Sequence, residues 1–213
     1  MSVATKIAAG IATTGAVGGA LALGSYSLIN TQNIQGRLKE EDFEILDTEK
    51  DEGWDTILSA YKKAKSNTFQ EESKLSSETT EGLRKKCKDT LNKKSNVSAS
   101  YLLARQWCVK ERTVTDILEK QKFKVLKTEA TVGITKTNKD DDHWTTKSKT
   151  YSTSNSKHKI KIDNQNQGTI DKEKIKAACK ALNTAELKTT SDGFNEKLEQ
   201  VREWCTIKKT DNN

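Results

Sequence analysis

The chain has 213 residues, with 37 lysines and arginines against 30 aspartates and glutamates, a formal net charge of +7 and no proline. Leucine, isoleucine, valine and phenylalanine make up only 32 of the 177 residues from Arg37 to Asn213, a proportion typical of weakly ordered chains. This composition argues against a large apolar core, such as a Rossmann-type sheet or a large barrel, and favours one thin domain or two small ones.

The first predicted element is an uncharged segment of 23 residues, Ile7–Ile29. At about 1.5 Å per residue, a helix of this length spans the roughly 30 Å hydrocarbon core of a bilayer. We therefore predict a retained membrane anchor. The alternative is a cleaved signal peptide, because Ala20-Leu21-Ala22 matches an A-x-A cleavage pattern. Apolar residues continue beyond that site, which favours the anchor.

The flanks of this segment carry almost equal positive charge, with Lys6 before it and Arg37 after it, so the positive-inside rule leaves its orientation open. A short N-terminal tail before a long polar chain favours export of the polar part. The spacings Gly15-x-x-x-Gly19 and Ala20-x-x-x-Gly24 let two helices approach closely, and they give a weak indication of self-association.

Beyond this segment the sequence repeats itself. Phe43-Glu-Ile-Leu-Asp-Thr-Glu49 matches Phe123-Lys-Val-Leu-Lys-Thr-Glu129, and each half closes with Trp-Cys, at Trp107-Cys108 and Trp204-Cys205. The other matches are Trp54 with Trp144, Tyr61 with Tyr151, Leu83 with Ile175, and Cys87 with Cys179. All four tryptophans and all four cysteines take part, so we predict a duplication. The predicted divisions are an anchor with its flank over residues 1–36, a first unit over 37–110 and a second unit over 111–213.

Apolar residues spaced three and four apart predict helices in both units. The predicted helices are Trp54–Lys65, Leu83–Leu91, Tyr101–Val109, Lys172–Leu182 and Gly193–Cys205. The predicted N-caps are Ser98 or Ser100 for the third helix, Asp171 for the fourth and Asp192 for the fifth. Because apolar residues are scarce, we also expect the tryptophan rings to be buried anchors of the core.

Two stretches, Thr128–Lys136 and Lys157–Asp163, alternate polar and apolar residues as short strands do. Between them, Thr145–Ser156 is mostly serine, threonine and lysine, and we predict a loop. The predicted fold class is therefore mainly α, or α+β with a few short strands, in which an N-terminal transmembrane helix precedes two tandem helical units.

Each predicted unit has one cysteine in its middle and one at its end. A duplication copies its own bridge, so we predict the disulfides Cys87–Cys108 and Cys179–Cys205 between consecutive antiparallel helices. Bridges over loops of this length stabilise a fold by about 3 kcal/mol in the chain-entropy model. The alternative is four reduced, buried cysteines.

The sequence indicates no catalytic, cofactor or metal site. It has no C-x-x-C pair, and its two histidines, His143 and His158, lie far from the cysteines in sequence. It also has no P-loop, no G-x-S-x-G, no H-E-x-x-H and no dinucleotide-binding fingerprint. We therefore expect a protein that is not an enzyme.

One run of the chain, Thr145–Lys161, has five lysines and no acidic residue. These lysines are Lys147, Lys149, Lys157, Lys159 and Lys161. They predict polyanion binding, to nucleic acid, a glycan or a lipid headgroup, while the alternative is a solvated face. With 32 lysines against 5 arginines the chain is unlike an arginine-rich surface that reads nucleic acid.

Four features of the sequence together form a recognisable pattern. They are an Ala/Gly-rich N-terminal segment, a polar chain rich in Lys, Thr and Asn, the motif Cys87-Lys-Asp-Thr-Leu91, and a terminal Trp-Cys before a basic tail. This pattern resembles the large paralogous families of uncharacterised proteins of haemotropic mycoplasmas. The resemblance covers the anchor and both Cys…Trp-Cys units, and it offers no catalytic residues to carry over. It implies a membrane-anchored, surface-displayed protein, one of many variable copies facing a host.

We therefore expect a single-pass protein of the cell membrane whose polar part is extracellular. Its function would be that of a non-enzymatic antigen or host-interaction module, with an unknown host-surface or protein partner. A lysine-rich polyanion-binding protein is the alternative.

Overall fold

The computed structural model describes residues 33–69, 79–129, 139–162, 170–182 and 184–209. Within these ranges the chain is mainly helical, as predicted, and forms eight helices and two short strands. The first four helices are α1 (Ile34–Glu40), α2 (Trp54–Lys63), α3 (Thr80–Leu91) and α4 (Ser98–Trp107). The other four are α5 (Val114–Lys120), α6 (Asp141–Thr153), α7 (Lys172–Ala181) and α8 (Phe194–Trp204).

The two strands form a small antiparallel sheet that joins distant parts of the chain. Strand β1 (Phe123–Val125) follows α5, and strand β2 (Thr206–Lys208) follows α8, with Lys124 opposite Ile207. We call residues 33–110 the first half and residues 111–209 the second half. The core is one contiguous cluster of buried residues drawn from both halves.

The predicted anchor, Ile7–Ile29, lies outside the described residues, as does most of the predicted strand Thr128–Lys136. Across the described ranges, every helix is too short or too polar to cross a bilayer.

All five predicted helices form, with ends that differ from the prediction by no more than three residues. Asp171 caps α7 as predicted, since its side chain accepts the N–H of Glu173 at 3.2 Å. The predicted caps Ser98, Ser100 and Asp192 are wrong. Helix α4 already includes both serines, and α8 begins after Gly193, whose φ of 69° suits a residue without a Cβ atom.

The loop predicted over Thr145–Ser156 is wrong, because most of it belongs to α6. Its hydroxyl groups are satisfied inside the helix: those of Thr145, Thr146 and Thr150 each donate to the carbonyl four residues earlier at 3.0 Å. Trp144 and Tyr151 supply the buried stripe that holds this polar helix against the core.

The strand predicted over Lys157–Asp163 is also wrong for the residues described, which form a turn and then a stretch without regular secondary structure outside the sheet. Side chains donate hydrogen bonds to backbone carbonyl groups that a neighbouring strand would otherwise use. The carbonyl of His158 accepts from Trp204 Nε1 at 3.0 Å, and that of Ile160 accepts from the Tyr151 hydroxyl at 2.5 Å.

The buried tryptophans make matching hydrogen bonds in the two halves. Trp54 Nε1 donates to the carbonyl of Asp47 at 2.9 Å. Trp144 Nε1 donates to the carbonyl of Lys127 at the same distance. In each half the bond ties the start of the second helix to the extended segment that precedes it.

Edge-to-face ring pairs also match. The ring centroids of Tyr61 and Trp107 lie 5.1 Å apart, and those of Tyr151 and Trp204 lie 4.7 Å apart. All four tryptophans of the chain are 0 or 1% exposed, which confirms that they anchor the core. In each half the ring pair joins the second helix to the fourth.

The two halves meet where α4 packs against α8. Arg105 is 3% exposed. Its Nε donates to Asn195 Oδ1 at 2.7 Å, and its Nη1 lies 2.8 Å from Glu199 Oε1. Arg202 approaches the same carboxylate at 2.6 Å. This buried, paired network fixes the two halves against each other.

Candidate functional site

The predicted basic run is split by the fold. Lys147 projects from α6 into the space beside α8, where its Nζ donates to the backbone carbonyl of Glu203. Burial lowers the pKa of Lys147 from 10.5 to about 8. The ammonium group of Lys147 is turned inward and already bonded, so the fold does not present it on the predicted polyanion surface.

The four other lysines of the run differ in exposure. Lys159 is partly buried, with Nζ 4.8 Å from the centroid of the Tyr151 ring. The exposed members are Lys149, Lys157 and Lys161. These three are what remains of the predicted polyanion surface.

Carboxylates of α8 border this surface. Glu196 Oε2 lies 3.2 Å from Nδ1 of His158, and Glu203 Oε2 accepts the hydroxyl of Ser156 at 2.6 Å. The sequence shows a run without acids, but the fold adds two acids from α8, which are 38 and 47 residues away from their partners along the chain. The result is a mixed-charge face.

Lys147 occupies a half-buried position in the second half, at the edge of the core. At the spacing that relates Trp144 to Trp54, its counterpart in the first half is Ile57, which is 1% exposed. An apolar side chain therefore suits this position, and the lysine is the exception. Its role is structural, as a donor that closes α6 onto α8.

This placement predicts a specific pH dependence. The folded chain holds the Lys147 proton less tightly than the unfolded chain, so the free energy of unfolding should rise with pH from about 8 towards 10.5. We expect a gain of about 2 kcal/mol over this window. Urea unfolding at several pH values, followed by circular dichroism, measures it.

The matched control is Lys147→Met, which should remove that rise while keeping the helices. Tyr101 does not interfere, because burial raises its pKa above 10.0 and its effect on stability begins only above that pH. Lys176 and Lys188 have pKa values raised above 10.5 by their carboxylate partners, so their stabilisation is lost only at still higher pH. Parallel pH profiles for both proteins would contradict the assignment to Lys147.

Both disulfides predicted from the sequence are present. Cys87 of α3 is bonded to Cys108 at the end of α4, with Cα atoms 5.4 Å apart. Cys179 of α7 is bonded to Cys205 at the end of α8, with Cα atoms 5.7 Å apart. All four cysteines are at most 4% exposed, and none is free. The alternative of four reduced cysteines is therefore not the state of this structure.

A shallow groove accompanies the third helix of each half. In the second half it has a volume of about 210 Å³ and is lined by Leu126, Cys179 and Cys205. In the first half it has about 400 Å³ and is lined by Leu46 and Leu91. Only in the second half does the groove reach the disulfide.

A lysine–glutamate pair lies beside each groove. Lys88 Nζ is 2.8 Å from Glu49, and Lys180 Nζ is 2.5 Å from Glu129. The hydrogen bond from Lys180 lowers the pKa of Glu129, and the bond to Glu49 raises that of Lys88. Both changes favour the charged forms, which suits ion pairing rather than proton transfer.

A metal centre is not apparent in the described ranges, where no three His, Cys, Asp or Glu side chains are arranged to hold an ion. A different exposed basic site, which the sequence patterns do not single out, is formed by Lys93 and Lys94 in the loop between α3 and α4. Adjacent lysines between two predicted helices were the available signal. Only the fold shows that this loop lies beside Asn33, where the described chain begins.

Comparison with known proteins gives no relative from which to transfer a function. No protein-family model, curated protein or solved structure is significantly similar to this chain.

Proposed function

We propose that this chain is a non-enzymatic interaction protein of the cell surface, an antigen or host-interaction module. In this proposal Ile7–Ile29 holds it in the membrane and two tandem helical units project on the extracellular side. The first unit would begin at Asn33 rather than Arg37, because Arg37 lies inside α1. The observation that carries the proposal is the presence of a buried disulfide in each half.

Matching geometry supports the duplication. Besides the tryptophan bonds and ring pairs, Asp42 and Lys122 both have a φ of 61°, and each follows the first helix of its half. A positive φ is uncommon outside glycine. Its recurrence at corresponding positions therefore supports descent from one ancestral unit.

The disulfides support an extracellular location. Disulfides form and persist on the oxidising side of a membrane and are rare in the cytosol. A protein with so few apolar residues also depends on covalent cross-links more than a protein with a large core does. An oxidising environment would therefore add stability to each half by keeping its bridge formed.

The ionisable groups with unusual environments support a non-enzymatic role. Strongly perturbed groups often mark catalytic sites. Here Lys147 is bonded to the carbonyl of Glu203, and Arg105 is paired with Glu199 between the halves. Each is engaged in holding two helices together.

Protease treatment of intact cells that produce the full chain tests the proposal. We expect the polar part to be digested before lysis, the protein to remain with membranes after alkaline extraction, and a thiol reagent to label no cysteine. The matched variant Leu21→Arg, which puts a charge into the anchor, should lose its membrane association. Protection from protease until lysis, or four reactive thiols, would contradict an extracellular location.

Polyanion binding is the second candidate, supported by the exposed side chains of Lys149, Lys157 and Lys161. The neighbouring carboxylates of Glu196 and Glu203 weaken the attraction that this surface offers to an anion. We therefore rank it below the interaction module.

A further inference from the structure

The loop between α3 and α4, residues 92–97, lies against the start of the described chain. The N–H of Ile34 donates to the carbonyl of Lys93 at 2.9 Å. Asn33 forms an isolated antiparallel bridge with Lys94. The loop is therefore fixed beside the point where the chain enters the first half.

Only a short connection separates this point from the proposed anchor. Three residues, Asn30 to Gln32, lie between Ile29 and Asn33. Fully extended, the chain from Ile29 to Asn33 spans about 14 Å. The headgroup layer takes up roughly 5–7 Å of that distance. If the anchor holds, at most about one Debye length at physiological ionic strength, roughly 8 Å, would remain, and over that distance charges on the loop would act on the membrane surface.

The loop presents positive charge and one apolar side chain to solvent. Lys93 and Lys94 are exposed, and neither forms an ion pair with any described residue. The side chain of Val97 is 43% exposed. Asp89, which lies on α3 four residues before Lys93, forms no ion pair with Lys93.

The loop is held in place from below. Ser95 is 4% exposed, and its carbonyl accepts a hydrogen bond from Arg37 Nη1 at 3.2 Å. The backbone that carries Lys93 and Lys94 is therefore fixed on the surface next to Asn33.

The corresponding loop of the second half differs in one respect. There Thr113 bridges Lys188, as Asn33 bridges Lys94. Lys188 is neutralised by Glu111 at 2.8 Å. At the spacing that relates Thr113 to Asn33, the counterpart of Glu111 is Thr31, which has no charge. The half beside the proposed anchor thus leaves its lysine available to an external anion.

We infer that residues 92–97 form a contact surface for anionic lipid headgroups, with Lys93 and Lys94 facing the phosphates and Val97 reaching the interface. This inference rests on the proposed membrane anchor. A basic residue near an anionic surface favours the bound state by about fivefold. Two such residues would keep the first half in contact with the bilayer, so that it would not move freely on the short connection to the anchor.

The test places the full-length variant Val97→Trp in vesicles that contain brominated lipids. The four native tryptophans are buried, so quenching reports mainly on the introduced side chain. We expect stronger quenching in vesicles of phosphatidylglycerol and phosphatidylcholine than in phosphatidylcholine alone, and loss of the difference at high salt. Adding Lys93→Gln and Lys94→Gln should also abolish the difference.

The matched control carries Lys62→Gln and Lys63→Gln, two exposed lysines at the end of α2, and should quench like its parent. Flotation with the vesicles distinguishes loss of the membrane anchor from loss of the loop contact. Protein that floats but shows equal quenching in both lipids overturns the loop contact alone. Protein that does not float overturns the anchor and the loop contact together.

Discussion

Replacing Trp107 by alanine is expected to lower the free energy of unfolding by about 3–5 kcal/mol. The side chain is 0% exposed, its ring meets that of Tyr61 edge to face, and its Nε1 donates to the carbonyl of Asn67 at 2.5 Å. The change would therefore open a large cavity and leave a carbonyl without its donor. Urea unfolding followed by far-ultraviolet circular dichroism measures the loss.

The control is Trp107→Phe, which keeps an aromatic ring against Tyr61 and removes the N–H donor. We expect it to cost about 1–3 kcal/mol, clearly less than the alanine variant. Trp204→Ala should behave like Trp107→Ala, because Trp204 has a matching ring partner and donates to the carbonyl of His158 at 3.0 Å. A loss below about 1 kcal/mol in either alanine variant would contradict a core role.

Removing the first disulfide with Cys87→Ala and Cys108→Ala is expected to cost about 3 kcal/mol, because the bridge closes a 21-residue loop. Removing the second bridge with Cys179→Ala and Cys205→Ala should cost a similar amount for its 26-residue loop. The total free energy of unfolding of a small protein is about 5–15 kcal/mol. The chain without either bridge should lose about 6 kcal/mol in total and is therefore expected to unfold at the lowest temperature of the three variants.

Thermal unfolding of the three variants under identical conditions gives the comparison. Each single-bridge variant should keep the helical signal of the parent at low temperature, which separates a loss of stability from a change of fold. An unfolding temperature unchanged after loss of both bridges would show that packing alone holds the two halves.

The repeat made much of this fold predictable. The cysteine pairing was predictable on the hypothesis that each half contains its own bridge, and burial of Trp107 and Trp204 was predictable from the scarcity of other apolar residues. Helices with a clear apolar stripe, such as α2 and α7, needed no information from the rest of the chain. In these cases the apolar residues that form the sequence pattern are the same residues that pack in the core.

Other features depended on partners that local sequence does not show. Helix α6 was missed because threonine and serine are common in loops, whereas here their hydroxyls bond within the helix and Trp144 fixes it to the core. Lys147 was assigned to a surface that only the position of α8 could have excluded. The loop at Lys93 and Lys94 lies beside the start of the described chain because of its bridge to Asn33, which is far away in the sequence.

The disulfides also set a limit on mechanical extension. A tensile load between Asn33 and Lys209, the ends of the described chain, would pass from Cys87 to Cys108 and from Cys179 to Cys205 through sulfur, bypassing loops of 21 and 26 residues. At about 3.3–3.6 Å per residue, roughly 70 Å and 90 Å of contour length would stay locked even after every helix had yielded. Under shear the chain would therefore extend only a short way. The two loops closed by the disulfides would be released by reduction of the bridges and not by force.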